Sequence, residues 1–445
     1  MRLLPLFPSR RRPKSAAFAA VVAALGAGLC AVAWAQTEVY IGVEGARSNS
    51  PRWVIGLPPF QAEHKSQPEE TRLAYEIREV VRYDLSFSGY FKPVAAPSGA
   101  AAADPRKAAQ DWKRTGAGFI LNADVSNASA KTTITISLLD LASEEAVLER
   151  YYRQDTRSWR SAAHQLADDV TKQLTGKPGI AHTKIAFIND KTGSKELYAM
   201  DYDGEGLRQL TNDRSIALLP RWSPDRKKIL YTSYKAGNPD LFEINFERGT
   251  TRVFSNRQGL NLAGGFSPDG AQAVLTLSMQ KNPNIYLASL AGSSVKPLTQ
   301  HFGVDASPTF SPDGGQVAFV SDRSGNPQVH ILDLGTGRTR RLTHLNWCDT
   351  PAWSPTGEWI VFSGRANSKD RMDLFLVDVT GNQVRQLTHG EGSNEDPAWS
   401  ADGRFLLFTS TRPGRRQLFV MAADGSAPRP IADIPGNSFT PAWSL

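Results

Sequence analysis

The residues of this chain that could do chemistry are carboxylates, a few histidines and one late cysteine, and their spacing fits no catalytic arrangement. Nucleophilic hydrolysis needs a serine or cysteine activated by a nearby base, and the chain has no G-x-S-x-G turn. Cys348 stands directly before Asp349-Thr350-Pro351 and could face an aqueous site, although a small buried residue is its simpler role. His344 and His389 each follow a Leu-Thr pair, 45 residues apart, with neither H-E-x-x-H nor C-x-x-C spacing beside them. We therefore expect no catalytic residue, no resident metal and no cofactor. What remains is a binding surface. Asp305, Asp349, Glu391, Asn394, Glu395, Asp396 and Asn437 form an acidic or amide set at corresponding points of successive segments. Lys191, Lys195, Lys235, Lys281, Arg323, Arg365, Lys369, Arg412, Arg415 and Arg416 form a basic set in the loops that follow. On one face these would make an acidic funnel inside a basic rim, suited to a polar protein or peptide.

The elements that position them come from an internal repeat. Aromatic-Ser-Pro-Asp occurs at Trp222-Ser223-Pro224-Asp225, Phe266-Ser267-Pro268-Asp269 and Phe310-Ser311-Pro312-Asp313. It continues as Trp353-Ser354-Pro355-Thr356 and Trp399-Ser400-Ala401-Asp402, then ends in Trp443-Ser444-Leu445. The aromatics are 44, 44, 43, 46 and 44 residues apart, the period of a four-stranded propeller blade. Within a period, Ser311-Pro312-Asp313-Gly314 is a turn, Gln316 to Ser321 and Gln328 to Asp333 are strands, and Arg340-Arg341-Leu342-Thr343 is a short outer strand. Matching outer segments lie at Leu210-Thr211, Val253-Phe254, Leu298-Thr299, Leu387-Thr388 and Ile431-Ala432. The segment from Lys184 has three strands and no inner one of its own. Pro441-Ala442-Trp443 repeats Pro397-Ala398-Trp399 and supplies it, closing a six-bladed ring without free sheet edges. The repeated aromatic packs between blades and its acid shapes a turn. A sialidase Asp-box differs because there Gly does not directly follow Asp, as Gly270 and Gly314 do here.

Before the ring the pattern is mixed, and we expect an N-terminal α+β domain over residues 36–176, a linker at 177–182 and the propeller over 183–445. Arg52 to Leu57 reads as a buried strand, and Pro68 to Tyr83 as a helix with Leu73, Ile77, Val80 and Val81 on one face. Phe119 to Val125, Ile134 to Leu138 and Val147 to Tyr151 suggest an antiparallel meander. A last helix carries Trp159, Ala163, Leu166, Val170 and Leu174 and stops at Gly176. Ala95 to Ala103 is low-complexity and reads as a loop.

Residues 1–35 read as a signal peptide, with a basic start, the apolar run Ala16 to Ala33 and Ala33-Trp34-Ala35 before Gln36. A retained anchor is the alternative, and Arg10-Arg11-Arg12 is a weak twin-arginine candidate. Cys30 follows Leu29 rather than the small residue that a lipoprotein cysteine needs, and its loss leaves Cys348 without a disulfide partner. The formal charge of +7 sits largely in this leader. Without Arg2, Arg10, Arg11, Arg12 and Lys14, 46 basic residues face 44 acidic ones, so nucleic acid is not an expected partner.

The leader, the mixed domain and a six-fold ring closed by Pro441-Ala442-Trp443-Ser444 together resemble the TolB family, periplasmic members of the bacterial Tol–Pal system. The resemblance covers residues 36–445, whereas the propeller repeat alone also occurs beside prolyl-oligopeptidase hydrolase domains. It implies a monomeric, non-enzymatic protein of the periplasm that binds the lipoprotein Pal at the channel face. It further implies that the mature N-terminal segment engages TolA, and that the whole supports outer-membrane integrity and invagination at division. In this chain Leu260, Ala263 and Ala306 match channel-mouth positions, alongside Asp305, Asp349, Glu395, Asp396, Arg323, Arg365 and Arg412. The segment Gln36 to Gly45 contains Glu38, Val39, Tyr40, Ile41, Gly42 and Val43, alternating as an added edge strand would. The chain departs from the family pattern at Gly264-Gly265, Thr356 and Ala401. The alternative function is a propeller enzyme, a lactonase or glycosidase, using channel carboxylates and holding a divalent ion at the ring centre.

Overall fold

The structure, a computed structural model, describes residues 53–64, 66–97, 105–292 and 294–445. The expected leader, the segment Gln36 to Gly45 with Glu38 to Val43, and most of the low-complexity stretch after Ala95 lie outside them.

The N-terminal domain is one sheet with helices on both faces. Its strands are β1 (Trp53–Leu57), β2 (Gln61–Ala62), β3 (Phe91–Ala95), β4 (Phe119–Ala128), β5 (Lys131–Asp140) and β6 (Glu145–Asp155), in the order β3-β1-β4-β5-β6 with β2 beside β4. The expected meander is β4-β5-β6, while β1 pairs in parallel with both β3 and β4. Helices α1 (Pro68–Phe87) and α3 (Trp159–Thr175) pack on one face, over Ile55, Leu57, Leu121 and Ile136. Helix α1 runs one turn past the expected Tyr83, because Leu85 is buried in the same core. Gly176 ends α3 at φ 70°, where its amide bonds Lys172 O. A helix the sequence pattern did not suggest, α2 (Pro105–Arg114), presents Trp112 to the opposite sheet face. Gly56 leaves room for that ring, since a Cβ there would stand 2.6 Å from Trp112 Cε3.

Residues from Lys184 onward form six four-stranded sheets, so the chain is mainly β with a six-bladed propeller. The inner strands of blades 2 to 6 are Ala217–Trp222, Asn261–Phe266, Asp305–Phe310, Trp347–Trp353 and Asn394–Trp399. Blade 1 consists of Lys184–Asn189, Glu196–Asp201 and Arg208–Gln209, and its inner strand is Ser438–Trp443 from the chain end. Ser438 pairs with Asn189 and Trp443 with Ile185. The closure is reinforced by side chains: Lys184 N donates to Ser444 Oγ at 2.8 Å, and Trp443 Nε1 to Thr183 Oγ1 at 2.8 Å.

Each repeated residue has a local cause. Ser223, Ser267 and Ser311 hydroxyls donate to Asp225, Asp269 and Asp313 at 2.5 Å and accept the amide five residues on, locking the turn. The Leu-Thr pairs fall just beyond most outer strands rather than inside them. There Thr211, Thr299, Thr343 and Thr388 accept the amides of Leu197, Ile285, Val329 and Leu374, at 2.9 to 3.0 Å, and pin the outer edge to the neighbouring strand.

Both domains share one core. Phe87 packs against Phe405 in a tilted pair at 4.7 Å and meets Tyr202 edge-on at 5.0 Å, and Arg404 lies 4.0 Å over Tyr90 while bonding Ser88 O. These contacts are on the face of the ring that carries the Ser-Pro-Asp turns, at blades 1 and 6.

Candidate functional site

Strand direction alternates within a blade, so the starts of the inner strands and the ends of the second strands emerge together. This mouth face carries Asp305, paired with Ser321, and the loop holding Arg323. The sequence thereby brings its acidic and basic sets to one face.

Around the rim, basic side chains lie flat on aromatic rings rather than projecting freely. Lys191 covers Tyr198, Lys235 covers Phe242, Arg323 covers Phe319, Arg365 covers Trp347 and Arg412 covers Phe419, at 4.1 to 5.5 Å from the ring centres. Several are also spent on acids. Arg323 Nη2 donates to both oxygens of Asp305, at 3.0 and 2.8 Å, and Asp305 is fully buried. Arg412 bonds Asn394 at 3.1 Å, and Arg416 bonds Glu395 at 3.1 Å. Arg365 differs. Its register partner on the inner strand is Trp347, and no carboxylate among the described residues pairs with it; the next residue of that strand, Cys348, is a buried free thiol pushed up to about 11 by burial.

Of the expected contact positions, Ala263 is 2 % exposed inside the blade core, so a partner cannot touch it. Asp305 is likewise sealed, and what the mouth presents there is Arg323. Leu260, Ala306, Asp349, Glu395 and Asp396 are half-buried. His344 and His389 are exposed and, among the described residues, join no cluster that could hold a metal.

Below the mouth the channel narrows at a bulge repeated in the inner strands. Leu219, Ser307, Thr350, Asp396 and Thr440 hold φ between 41° and 56°, a left-handed conformation that side chains adopt at a cost of about 1–3 kcal/mol each. Blade 3 departs here: Ala263 stands where the other blades hold the left-handed residue and is not left-handed, and Gly264 replaces the proline that follows it, at a point where a Cβ would meet Val274 O at 2.4 Å and Pro308 Cγ at 2.5 Å. That close approach accounts for the glycine. Arg221 Nε fills the space by donating to Gly264 O at 2.5 Å. Beneath lies a cavity of about 390 Å³ walled by the repeated prolines and aromatics.

The waist concentrates negative charge. Asp396 is pushed up to about 6 by burial and by the charges of Glu395 and Asp349, against the amide of Thr440 and the cation of Arg221. Burial also raises Asp349, which accepts the Thr350 amide at 2.7 Å. Apolar side chains, which the charge pattern did not reveal, complete the mouth: Ile216, Met279, Val304 and Trp347 are 36–45 % exposed and Phe302 83 %. Their signal in the sequence is an apolar residue at or just before an inner-strand start, as at Ile216, Val304 and Trp347.

Two family models divide the chain. The TolB beta propeller domain matches residues 171–445 and the TolB amino-terminal domain residues 40–147. The chain belongs to the TolB family. The Tol-Pal system protein TolB of Geobacter sulfurreducens is 34 % identical over 160 residues, 35 % of this chain and 37 % of that protein. A TolB homolog of Chlorobium chlorochromatii is 36 % identical over 195 residues, 43 % of each chain. These matches span less than half the length of either relative. The crystal structure of TolB from Acinetobacter baumannii has a TM-score of 0.74 at 27 % identity, covering 90 % of this chain and 98 % of its own.

Proposed function

We propose that this chain is a non-enzymatic periplasmic component of the Tol–Pal system, using the mouth of its propeller to bind Pal and its mature N-terminal segment to bind TolA. Through these contacts it supports outer-membrane integrity and the invagination of that membrane at division. The observation that carries the reading is the mouth itself. Arg365, without a carboxylate partner among the described residues, lies over Trp347, and the same face exposes Phe302, Val304 and Met279 and carries the half-buried Asp349 and Glu395, the mixture of aromatic anchor and charge that protein interfaces use. The match to both TolB domain models supports it.

The reading is tested by capture of soluble TolA and Pal domains on the chain from Gln36 onward. Deleting Gln36 to Val43 is expected to abolish TolA capture and leave Pal capture intact; retained TolA capture rejects the segment assignment. The enzyme alternative has less support. Raised carboxyls at Asp349 and Asp396 would suit a general acid, but the one group of His and acids able to hold a metal among the described residues lies away from the channel, at Asp84, His164 and Asp203.

A further inference from the structure

Where α1 and α3 meet blade 1, charged groups are buried together without a site having been assigned to them. His164 of α3 is 2 % exposed, and Asp84 of α1 lies 2.8 Å from its Nδ1. The other ring nitrogen, Nε2, is buried with no hydrogen-bond partner, yet it points across to the propeller, 3.9 Å from Asp203 Oδ2 and 4.0 Å from Asp201 Oδ2. Tyr202, between those two acids, donates to Asp84 Oδ1 at 2.8 Å. The remaining charges are accounted for. Arg160 of α3 pairs with Asp203, and Lys184 of blade 1 donates to Asp201 at 2.5 Å. Tyr83 of α1 is met by Arg429 of blade 6 at 3.5 Å.

Three carboxylates against two fixed cations leave one negative charge to neutralise. A divalent ion on His164 Nε2, with Asp84 orienting the ring, is a recognised geometry. It would overshoot the balance, however, and Arg160 already occupies the Asp203 oxygen that would ligate it. A single proton closes the account. We propose that His164, as an imidazolium donating to Asp84 through Nδ1 and reaching Asp201 and Asp203 through Nε2, is a proton-operated clasp that fastens the N-terminal domain to blade 1.

The direction of the effect follows from the surroundings. Burial alone would lower the His164 pKa, but Asp84, then Asp203 and Asp201, raise it above its ordinary value of 6.5. Asp84 is raised too, by burial, with His164 and Tyr202 opposing. Both shifts mean that the docked state holds protons more tightly than the open state. The clasp is therefore strongest below pH 6.5 and is lost as pH rises through the folded value of His164. In that window its opening constant grows by up to about tenfold per pH unit.

The test is hydrogen exchange by mass spectrometry on the chain from Gln36 onward, corrected for intrinsic rates, with an NMR titration of the His164 ring. In the wild type, protection of the 202–206 loop is expected to fall by up to about tenfold per pH unit between pH 6.5 and the folded value of His164, and to level off above it, while the inner strands stay protected. His164→Gln should be unclasped at every pH, and His164→Lys should stay clasped across the range. A ring that titrates at or below 6.5, or loop protection that ignores pH in the wild type, overturns the clasp. So does EDTA mimicking His164→Gln, which would assign the site to a metal. Should His164→Gln fail to fold, the wild-type titration alone decides.

Discussion

Removing the indole that closes the ring should unfasten the propeller by a calculable amount. Trp443 is 5 % exposed in the core shared by blades 1 and 6 and the N-terminal domain, and its Nε1 donates to Thr183 260 residues earlier. Truncating a buried aromatic to alanine costs roughly 3–5 kcal/mol, and the lost hydrogen bond adds about 1 kcal/mol. At an unfolding entropy near 2.1 cal/mol/K per residue over residues 183–445, that lowers the melting temperature by roughly 7–11 °C. Trp443→Phe keeps most of the packing and should cost about 1–2 kcal/mol. Phe302→Ala, at an 83 % exposed aromatic, should change stability by no more than about 0.5 kcal/mol. Thermal and urea unfolding followed by circular dichroism rank the three. A Trp443→Ala protein melting within about 2 °C of its parent would refute the argument that the last strand bears the ring's closure.

Other consequences follow from the channel. Arg323→Glu sets a carboxylate against fully buried Asp305 and should cost about 3–5 kcal/mol in urea unfolding, whereas Arg365→Glu, with no acid to desert, should cost under about 1 kcal/mol. Charge reversal at the rim therefore reads out binding at Arg365 and stability at Arg323. Asp396→Asn should stabilise the protein by about 1–3 kcal/mol above pH 6, because a carboxyl raised from 3.8 to about 6 penalises the folded state progressively across that interval. The variant's stability should accordingly decline less between pH 4 and 6, and a parallel decline would contradict the raised value. Cys348, buried and pushed up to about 11, should resist a thiol reagent in native buffer and react once the protein is unfolded; rapid native labelling would place it on the channel wall.

The ring was legible because its period is local information repeated six times, and the terminal Pro441-Ala442-Trp443 could be matched letter for letter. The helix α2 was not, since Trp112 is the one large apolar residue in its sequence and a single residue sets no period; Pro105 as its first residue was the available sign. Parallel pairing of β1 with β3 and β4 joins segments separated by α1 and α2, and no short-range pattern encodes it. At the mouth, residue types were readable but their engagement was not. Asp305 and Arg323 belonged to opposite sets in the sequence, and the structure joins them into one sealed pair. The left-handed waist and the His164 cluster arise from backbone crowding and from contacts between segments far apart in the chain, Asp84 with His164 and Tyr202 among them, beyond what spacing can report.

The central claim is that the propeller mouth recruits Pal, and isothermal titration of the soluble Pal domain into the chain from Gln36 onward addresses it directly. Saturable one-to-one binding is expected, weakened at least about tenfold when Trp347→Ala and Arg365→Glu are combined in a protein that melts like its parent. No binding to the intact chain, or undiminished binding to the double variant, would contradict the claim.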